Sequence, residues 1–402
     1  MTLPVHARLQ WTLTDHRTQF SFIREDQDVL KGEWEDGSFT LQASYTYDPR
    51  PLQLKAFAAP GDDICLILHP YRIELYVNEV LLDEEWPAGE ALFLTSDRLI
   101  KNAELLISDA PLGKEQPSVI GSFENAEGWR PGNGVFVGDC MPYVFEDRYH
   151  VLYLKDRHHH ESKWFKGAHQ WAHISTTDFI HWDIHPMAVE IDEPWQGSIC
   201  TGSHVFHDGK HYLYYSIRTM NQSPAPICRS VSDDGYHYVK DPDFRVYLSD
   251  RYNGASVRDP KVVIDHAKIH LFVTTTDLVL GKGCLAHIVS DDGVHFREEE
   301  NIYTAPDSGE PECSDYFAKD GRYYLVFSHS WHAQYRVSDH PFTDWKVPED
   351  PYLPFAAVPK CGIFHDRIIM TGFKAIGRYA GTMTFGEACI NEKGELKILS
   401  KE

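Results

Sequence analysis

Long apolar runs and paired cysteines are both missing from this chain. No stretch approaches the roughly 18 consecutive apolar residues that a membrane-spanning helix needs, so we expect a soluble protein with no membrane partner. The eight cysteines stand singly, without a Cys-x-x-Cys pair, and Met1 leads into a polar stretch instead of the apolar centre of a signal peptide. These features predict reduced thiols and a cytoplasmic location.

Positive charge is also scarce. The chain has 38 Lys and Arg residues against 60 Asp and Glu residues, which gives a formal net charge of −22. The field around such a protein repels phosphate backbones and anionic membranes. This charge argues against nucleic acid as a partner and disfavours polyanionic substrates.

Aromatic residues, in contrast, are plentiful. The 21 Tyr, 21 Phe and 10 Trp residues favour pleated, half-buried strands over helices, and 402 residues suggest about two domains. In residues 1–115, short runs of alternating apolar and polar residues are separated by turns rich in Pro, Gly and Asp. This pattern predicts a β-sandwich, which either binds carbohydrate or packs against the next domain.

A unit of one turn and one strand recurs five times in the second predicted domain, residues 116–402. Each unit is followed by another strand, which often ends in a Ser-Asp or Thr-Asp turn whose acid should satisfy the turn backbone. Four-stranded meanders that recur about every 40–60 residues are typical of a β-propeller. The sequence therefore predicts an all-β protein, a five-bladed β-propeller preceded by an N-terminal β-sandwich. The five units begin at Asp147, Asp208, His266, Asp320 and His365.

Three acids stand apart from these turns. Asp139, Asp259 and Glu312 each introduce a strand that we expect to be innermost in its blade, at equivalent positions of the repeat. Because innermost strands line the central channel of a propeller, the three acids should meet at one mouth of it. Cleavage of a glycosidic bond requires an acid that protonates the leaving oxygen and a carboxylate that attacks the anomeric carbon or activates water. The pattern therefore predicts a glycosidase.

An ordered set of motifs resembles glycoside hydrolase family 32, the β-fructosidase-like invertases, levanases and inulinases, and its five-bladed relatives that act on arabinofuranosides. The resemblance covers about residues 116–346. This chain has Gly138-Asp139-Cys140-Met141-Pro142 where the family usually has Asn-Asp-Pro-Asn-Gly, and its predicted sandwich precedes the propeller instead of following it. The matching motifs are Gly138-Asp139, Trp171-Ala172-His173, Thr201-Gly202-Ser203, Arg258-Asp259-Pro260 and Glu312-Cys313.

The resemblance implies a role for each acid. Asp139 would be the nucleophile, Asp259 the stabiliser of the sugar hydroxyls in the transition state, and Glu312 the general acid/base. The family's mechanism is retaining, which places the two reacting carboxyl groups about 5–5.5 Å apart. Arg258 would keep Asp259 ionised through a charge-assisted hydrogen bond.

The function implied is release of terminal fructofuranosyl residues from small oligosaccharides without a cofactor. An arabinofuranosidase and a relative that transfers the sugar to another sugar are alternatives on the same propeller. A third alternative, from another class, is a propeller that binds carbohydrate without cleaving it.

Several further residues are candidates for substrate binding. Aromatic faces stack on the apolar face of a sugar, although any single Trp is more often part of a core. Cys313, beside Glu312, is interpreted as a small buried residue behind the acid instead of a nucleophile. The candidates for substrate binding are Arg258, Trp164, Gln170, Trp171, Trp195, Ser203 and His332.

A run of histidines, His158 to His160, follows the first strand pair. Consecutive residues in a strand point in alternating directions, and no His-x-x-x-His helix accompanies the run, so the pattern disfavours a metal site. A polar loop that lines the substrate site and a solvated loop are the two remaining interpretations. No metal is predicted.

Overall fold

The computed structural model describes residues 6–14, 19–24, 27–35, 37–43, 52–69, 72–85, 104–108, 121–131, 134–157, 169–193, 195–219, 223–377 and 379–399. Within these ranges the chain forms β-strands and one 3-10 turn, Gly254–Ser256. No helix among them has the length and apolar character needed to cross a membrane.

Two antiparallel sheets form the N-terminal part. The first consists of β1 (His6–Thr12), β6 (Asp63–His69), β7 (Arg72–Val77), β8 (Val80–Glu85) and β9 (Glu104–Ser108), in the order β8-β7-β6-β1-β9. The second consists of β2 (Gln19–Arg24), β3 (Gln27–Glu35), β4 (Ser38–Ala43) and β5 (Leu52–Phe57), in chain order. The rings of Trp11 and Phe39 join the two sheets, with centroids 5.5 Å apart. The predicted boundary near residue 115 lies outside the described residues and stays a prediction.

The N-terminal sheets contact the second part of the chain through buried charges. Asp83 and Glu84 of β8 form ion pairs with Arg157, and Glu84 also pairs with Lys155. Asp83, Glu84 and Arg157 are almost completely buried. Removing one member of such a buried network leaves an uncompensated charge, so these pairs fix how the two parts meet. This contact is the packing role considered for the N-terminal part.

The second part consists of five antiparallel meanders, the blades of the propeller. The first blade has β11 (Val135–Phe145), β12 (Arg148–Arg157), β13 (Gln170–Thr176) and β14 (His181–Val189), with β10 (Gly121–Glu124) added at its outer edge. The second has β15 (Gln196–His207), β16 (Lys210–Thr219), β17 (Ile227–Ser232) and β18 (Val239–Val246). The third has β19 (Arg258–Asp265), β20 (Lys268–Asp277), β21 (Lys282–Ser290), β22 (Arg297–Glu298) and β23 (Tyr303–Thr304). The fourth has β24 (Glu312–Lys319), β25 (Arg322–His329) and β26 (His332–Ser338), and the fifth has β27 (Ala357–Phe364), β28 (Arg367–Ala375), β29 (Gly381–Ile390) and β30 (Leu396–Leu399).

The blades close into a ring around their innermost strands. Each of β11, β15, β19, β24 and β27 contacts the next, and β27 contacts β11. A separate apolar cluster fills each of the five interfaces between neighbouring blades, the fifth against the first included. Because each blade is covered on both faces, its central strands are buried along almost their whole length, as in β13. The predicted five-bladed propeller is confirmed.

The five predicted turn-strand units all form hairpins that join the first two strands of a blade. The first turn residue of each hairpin has a φ between 44° and 52°. Positive φ values suit the tight turns whose twist matches that of paired strands. Such a hairpin at the same place in each blade explains why the repeat is visible in the sequence. The five turn residues are Glu146, Asp208, His266, Asp320 and His365.

Every innermost strand also carries a β-bulge near its start. In each, two residues lie opposite a single residue of the next strand, and the register shifts between Val137 and Cys140, Ile199 and Gly202, Arg258 and Lys261, Glu312 and Asp315, and Ala357 and Lys360. A bulge bends its strand and redirects side chains. The five bulges form a ring, and the candidate site is built on it.

Candidate active site

A cavity of about 510 Å³ lies over the ring of bulges. Asp139, Asp259 and Glu312 all line it, and so does Arg258. The structure therefore brings together three acids that are up to 173 positions apart in the sequence (312 − 139). The other lining residues are Leu154, His169, Ile199, Cys200, Thr201, Arg218, Cys313, Ser328, Trp331, Ala333, Ala356, Ala357, Val358, Phe373, Ala375 and Tyr379.

The three acids do not occupy equivalent positions of the repeat, which corrects one expectation from the sequence. Asp259 is the first of the two bulged residues in its strand, and Asp139 is the second in its own strand. Glu312 is the last paired residue before its bulge, the position that Arg258 occupies in the third blade. The acids meet because the bulges turn three different register positions toward one space.

Asp139 is held by groups from three other blades. Its Oδ1 accepts a hydrogen bond from the hydroxyl of Tyr379 at 2.9 Å, and its Oδ2 accepts one from Thr201 at 2.5 Å. The thiol of Cys313 lies 3.2 Å from the same Oδ2. Asp139 itself is only 8% exposed. Its carboxylate is therefore oriented by donors on both oxygens before any substrate arrives.

Gly138 explains the unusual sequence around Asp139. A Cβ atom at Gly138 would lie 2.6 Å from the Tyr379 hydroxyl, closer than the two atoms can approach. The same hydroxyl also accepts a hydrogen bond from the backbone N–H of Asp139, at 3.2 Å. Tyr379 of the fifth blade thus occupies the space that a side chain at position 138 would fill. Gly replaces the family's usual Asn at position 138 because the Tyr379 side chain fills the space that the Asn would need.

Replacing Tyr379 by Phe is expected to lower kcat about tenfold with little change in KM, because one of the hydrogen bonds that orient the Asp139 carboxylate is lost. Steady-state kinetics of Tyr379→Phe test this. Tyr303→Phe is the matched control, because the Tyr303 hydroxyl accepts a hydrogen bond from Arg336 away from the cavity. An unchanged kcat in Tyr379→Phe would contradict the positioning role.

Asp259 is the most strongly perturbed acid of the site. It is 4% exposed, and burial raises the pKa of its carboxyl group to about 6, with Arg258 opposing the shift and the nearby charges of Asp139 and Glu312 adding to it. Its Oδ2 accepts a hydrogen bond from the backbone N–H of Cys313 at 3.0 Å. Lys360, buried behind the acids, also favours the ionised form of Asp259.

Arg258 does not hold Asp259 by a hydrogen bond, contrary to the expectation from the sequence. Its Nε lies 3.7 Å from Asp259, whereas its two terminal nitrogens donate to Glu310 at 2.5 Å and to Glu312 at 2.9 Å. Thr276 donates a second hydrogen bond to Glu310. Because Glu310 anchors Arg258, the guanidinium positions Glu312, whose side chain is 38% exposed toward the cavity.

Replacing Asp259 by Asn is expected to raise thermal stability while lowering activity. Its pKa is higher in the folded chain than the usual value of about 3.9, so the protein above pH 6 keeps a buried charge that favours unfolding, at about 1.4 kcal/mol per pKa unit. The gain should be present at pH 8 and disappear as the pH falls toward 4, where the carboxyl group is protonated in the folded chain. Melting temperatures at pH 8 and pH 4.5 measure the gain in stability and its disappearance at low pH.

Asp208→Asn is the control for this substitution. Asp208 lies exposed in a hairpin turn with a φ of 48°, a conformation that Asn also adopts readily. A lower melting temperature for Asp259→Asn than for the unchanged chain at pH 8 would show that burial of this charge does not cost stability.

Most of the other predicted substrate-binding residues lie away from the cavity. Trp171 is completely buried between the first two blades, and its indole N–H donates to the carbonyl of Cys200. Gln170 is also completely buried and accepts from the backbone of Ile191. Covered in this way, neither side chain can touch a sugar, so these two predictions are corrected.

Three more candidates are placed outside the cavity wall. Trp195 is half-buried under the guanidinium of Arg245. Ser203 joins the second and third blades by hydrogen bonds to Pro260 and Val262. His332 is exposed, and its Nδ1 donates to the backbone carbonyl of Ser330 in its own turn. Trp164 and the run His158 to His160, also interpreted from the sequence, lie outside the described residues.

Sequence reasoning missed several residues of the cavity. Thr201 could have been found, because it is the second bulged residue of its strand, as Asp139 is of its own. Tyr379 and Arg218 carry no such signal, since neither stands in an innermost strand. His169 lines the cavity with its Nε2 donating to the buried Asp156 at 2.6 Å. Only the folded chain identifies these last three.

Among the described residues, one group has the composition of a metal site. Ligand atoms of His150, His173 and His185 lie within 4.8 Å of one another, between the first and second blades and apart from the cavity. Ring nitrogens of all three histidines already take part in hydrogen bonds. His150 Nδ1 lies 3.0 Å from His173 Nε2, and the hydroxyl of Ser175 lies 2.7 Å from His185 Nε2. The third blade repeats the pair as His270 and His287, 2.9 Å apart. We therefore assign the cluster a packing role.

Solved structures of known proteins share the fold. The chain is similar to fructan 1-exohydrolase IIa from Cichorium intybus, with a TM-score of 0.55 and 14% sequence identity over 71% of this chain and 61% of that one. It is also similar to sucrose-6-phosphate hydrolase from Lactobacillus gasseri, with a TM-score of 0.57 and 15% identity over 71% of this chain and 64% of that one. The class of protein is thus a five-bladed propeller with a carboxylate cluster at one end of its channel.

The family follows from the sequence match. Residues 139–345, just over half of the chain, match the model of the Glycosyl hydrolases family 32 N-terminal domain. The chain belongs to glycoside hydrolase family 32. Among curated proteins it is similar to sucrose-6-phosphate hydrolase of Escherichia coli, with 29% identity over 197 residues, 46% of this chain and 39% of that protein. The chain therefore spans less than half the length of this relative.

Proposed function

We propose that this chain is a retaining glycosidase that releases terminal fructofuranosyl residues from small oligosaccharides. The observation that carries the proposal is the meeting of Asp139, Asp259 and Glu312 in one cavity. Membership of family 32 and similarity to a sucrose-6-phosphate hydrolase and a fructan 1-exohydrolase support a fructosyl substrate. The eight unpaired cysteines support a reducing, cytoplasmic location.

The contacts of the three acids fit a double displacement. Asp139, oriented by Tyr379 and Thr201, attacks the anomeric carbon, while Glu312 protonates the leaving oxygen. Glu312 then takes a proton from the water that releases the sugar from Asp139. Asp259, buried beside Asp139, accepts hydrogen bonds from sugar hydroxyls in the transition state. A separation of about 5–5.5 Å between the Asp139 and Glu312 carboxyl groups is part of the proposal.

The pKa of Asp259 gives this mechanism a pH dependence. Its stabilising role requires the carboxylate, and burial raises its pKa to about 6. The carboxylate is the main form only above that pH. We therefore expect the rate to fall on the acid side as the pH drops through about 6.

A substrate screen tests the proposed function. Purified protein is incubated with sucrose, short inulin-type and levan-type oligosaccharides and aryl arabinofuranosides, and released monosaccharides are identified by chromatography. The anomer formed first, followed by NMR, should have the configuration of the substrate. Asp139→Asn is the control for contaminating activity.

Three outcomes would replace the proposal. Release from arabinofuranosides alone would move the substrate to the pentose, on the same three acids. Sugar binding without release from any fructoside or arabinofuranoside would favour a carbohydrate-binding propeller. Products lengthened at high acceptor concentration would instead indicate transfer to a second sugar.

A further inference from the structure

Arg218 is a cationic side chain of the cavity wall, and it has no anionic partner among the described residues. It lies near the end of β16, opposite Ser198 of the innermost strand of its blade. It lines the same cavity as Asp139 and Glu312. Its Nη1 is buried and has no hydrogen-bond partner, and no carboxylate of the described part of the chain forms an ion pair with it. A buried guanidinium N–H without an acceptor is rare, because it loses its hydration and receives nothing in exchange.

The other arginine of the cavity shows what a structurally satisfied guanidinium looks like here. Arg258 pairs with Glu310, Glu312 and Asp259, so its charge is matched within the protein. Arg218 has no comparable set. The protein therefore neutralises the charge of Arg258 with its own acids and, among its described residues, does not do so for Arg218. The missing acceptor for Arg218 can be supplied by a ligand.

The remaining wall restricts where such an acceptor could bind. The side of the cavity formed by the fifth blade and the segment before it carries mainly small or apolar side chains, which offer no side-chain hydrogen bonds. The side formed by the first four blades carries Arg218, His169 and Thr201 besides the three acids and Arg258. Arg218 is therefore the cation in this part of the wall that is available to pair with a negative group of a ligand. The apolar side consists of Ala356, Ala357, Val358, Phe373 and Ala375.

We propose that Arg218 binds an anionic substituent of the substrate, a phosphate or a carboxylate attached to the sugar, and so selects charged glycosides over neutral ones. The inference rests on the proposed function in taking this cavity as the sugar site. A guanidinium is planar and presents parallel N–H donors that match two oxygens of either group. The net charge of −22 does not oppose it, because that field is screened within about 10 Å of the surface, whereas the contact is direct.

Ligand binding to a chain that cannot turn over tests the proposal separately from hydrolysis. The Asp139→Asn protein is titrated calorimetrically with inorganic phosphate, fructose, fructose 6-phosphate, glucose, glucose 6-phosphate and glucuronate. At least one charged sugar should bind about 10- to 100-fold tighter than its neutral parent, as expected for a hydrogen-bonded ion pair. The phosphate and glucuronate arms decide which anionic group is preferred.

Second substitutions connect the preference to Arg218. Adding Arg218→Met should reduce the preference to less than about threefold, and Arg218→Lys should retain part of it, since an ammonium keeps the charge and loses the planar fork. Arg367→Met is the matched control, because Arg367 pairs with Glu387 on the outer surface, and it should leave the preference unchanged. Circular dichroism establishes that each variant is folded. If Arg218→Met does not fold, the loss of preference is measured with Arg218→Lys instead.

The outcomes separate the two proposals. Equal affinity for charged and neutral sugars, or a preference that survives both Arg218 substitutions, overturns the role of Arg218 and leaves the glycosidase proposal standing. A preference that depends on Arg218, in a protein whose unsubstituted form releases no sugar from the substrates of the screen above or from their phosphorylated counterparts, supports the anionic site and overturns the glycosidase proposal. Release of fructose from neutral and charged substrates with equal kcat/KM also overturns the role of Arg218.

Discussion

Replacing Asp139 by Asn is expected to abolish hydrolysis, with a loss of about 10³- to 10⁵-fold in kcat. The amide has nearly the shape of the carboxylate, and its oxygen can still accept a hydrogen bond from Thr201 or Tyr379, whose contacts now orient Asp139. An amide is too weak a nucleophile to attack the anomeric carbon. The folded structure should therefore survive while the chemistry is lost.

Replacing Glu312 by Gln should produce a different kinetic pattern. General acid and base catalysis contributes about 10²- to 10⁴-fold, so natural oligosaccharides should be cleaved slower by that factor. A substrate with an acidic phenol as leaving group needs no proton, and its first step should remain fast. The glycosyl-enzyme should then accumulate, because the base that activates water is missing. A burst of phenol followed by slow turnover is the expected observation in stopped-flow absorbance.

Two comparisons make this pair of substitutions decisive. Glu299→Gln changes an exposed acid that pairs with Arg297 at the surface, and it should leave kcat unchanged. Asp139→Asn should show no burst with the phenol substrate, since no glycosyl-enzyme can form. A burst in Asp139→Asn, or full activity in Glu312→Gln, would remove these residues from the roles proposed for them.

Acidification is expected to unfold this protein steeply, beginning just below pH 6.5. Burial lowers the pKa of His150 to about 3 and that of His287 to about 4, with neighbouring His185 and His270 adding to the effect. Burial also lowers the pKa of His173. In the unfolded chain each imidazole has its usual pKa of about 6.5. At pH values between the folded and the unfolded pKa, these imidazoles are protonated in the unfolded chain and neutral in the folded chain. The free energy of unfolding therefore falls as the pH falls.

The expected loss of unfolding free energy on acidification is large. At pH 5 each histidine whose pKa is lowered to about 3 or 4 favours unfolding by about 2 kcal/mol relative to pH 7.5. His150 and His287 together remove about 4 kcal/mol, from a total that is typically about 5–15 kcal/mol. Above pH 6.5 the imidazoles are neutral in both states, and the effect vanishes. The lowered pKa of Asp292, in an exposed turn, acts in a separate window below about pH 4.

Urea unfolding at pH 7.5, 6.5, 5.5 and 5.0, followed by tryptophan fluorescence, measures this dependence. His150→Asn should reduce proton uptake on unfolding by about one at pH 5, and so flatten the slope of stability against pH. His266→Asn is the control, because the His266 side chain is 91% exposed and its turn conformation accepts Asn. A slope that is identical in His150→Asn and the unchanged chain would show that the buried ring is not responsible.

The sequence by itself determined the fold. Side chains of a strand point to alternate faces with a period of two, and the turns before Arg148, Lys210, Lys268, Arg322 and Arg367 recur at the same place in every blade. Such signals are local, because a hairpin turn and its strand occupy only a few residues. The three acids were found in the same way, since each stands at the start of an innermost strand. Local pattern was therefore enough to predict five blades and the carboxylates among them.

The tertiary structure decided how these residues are used. Tyr379 reaches Asp139 from a position 240 residues away, into space left by Gly138, and no local pattern predicts that contact. Trp171 points into a core instead of the cavity, because the period of a strand tells which residues share a face and not which neighbour covers that face. Arg218 stands out only because its partners can be counted in the folded chain. Bulge register and contacts between blades are set by the ring as a whole, so only the folded ring assigns them.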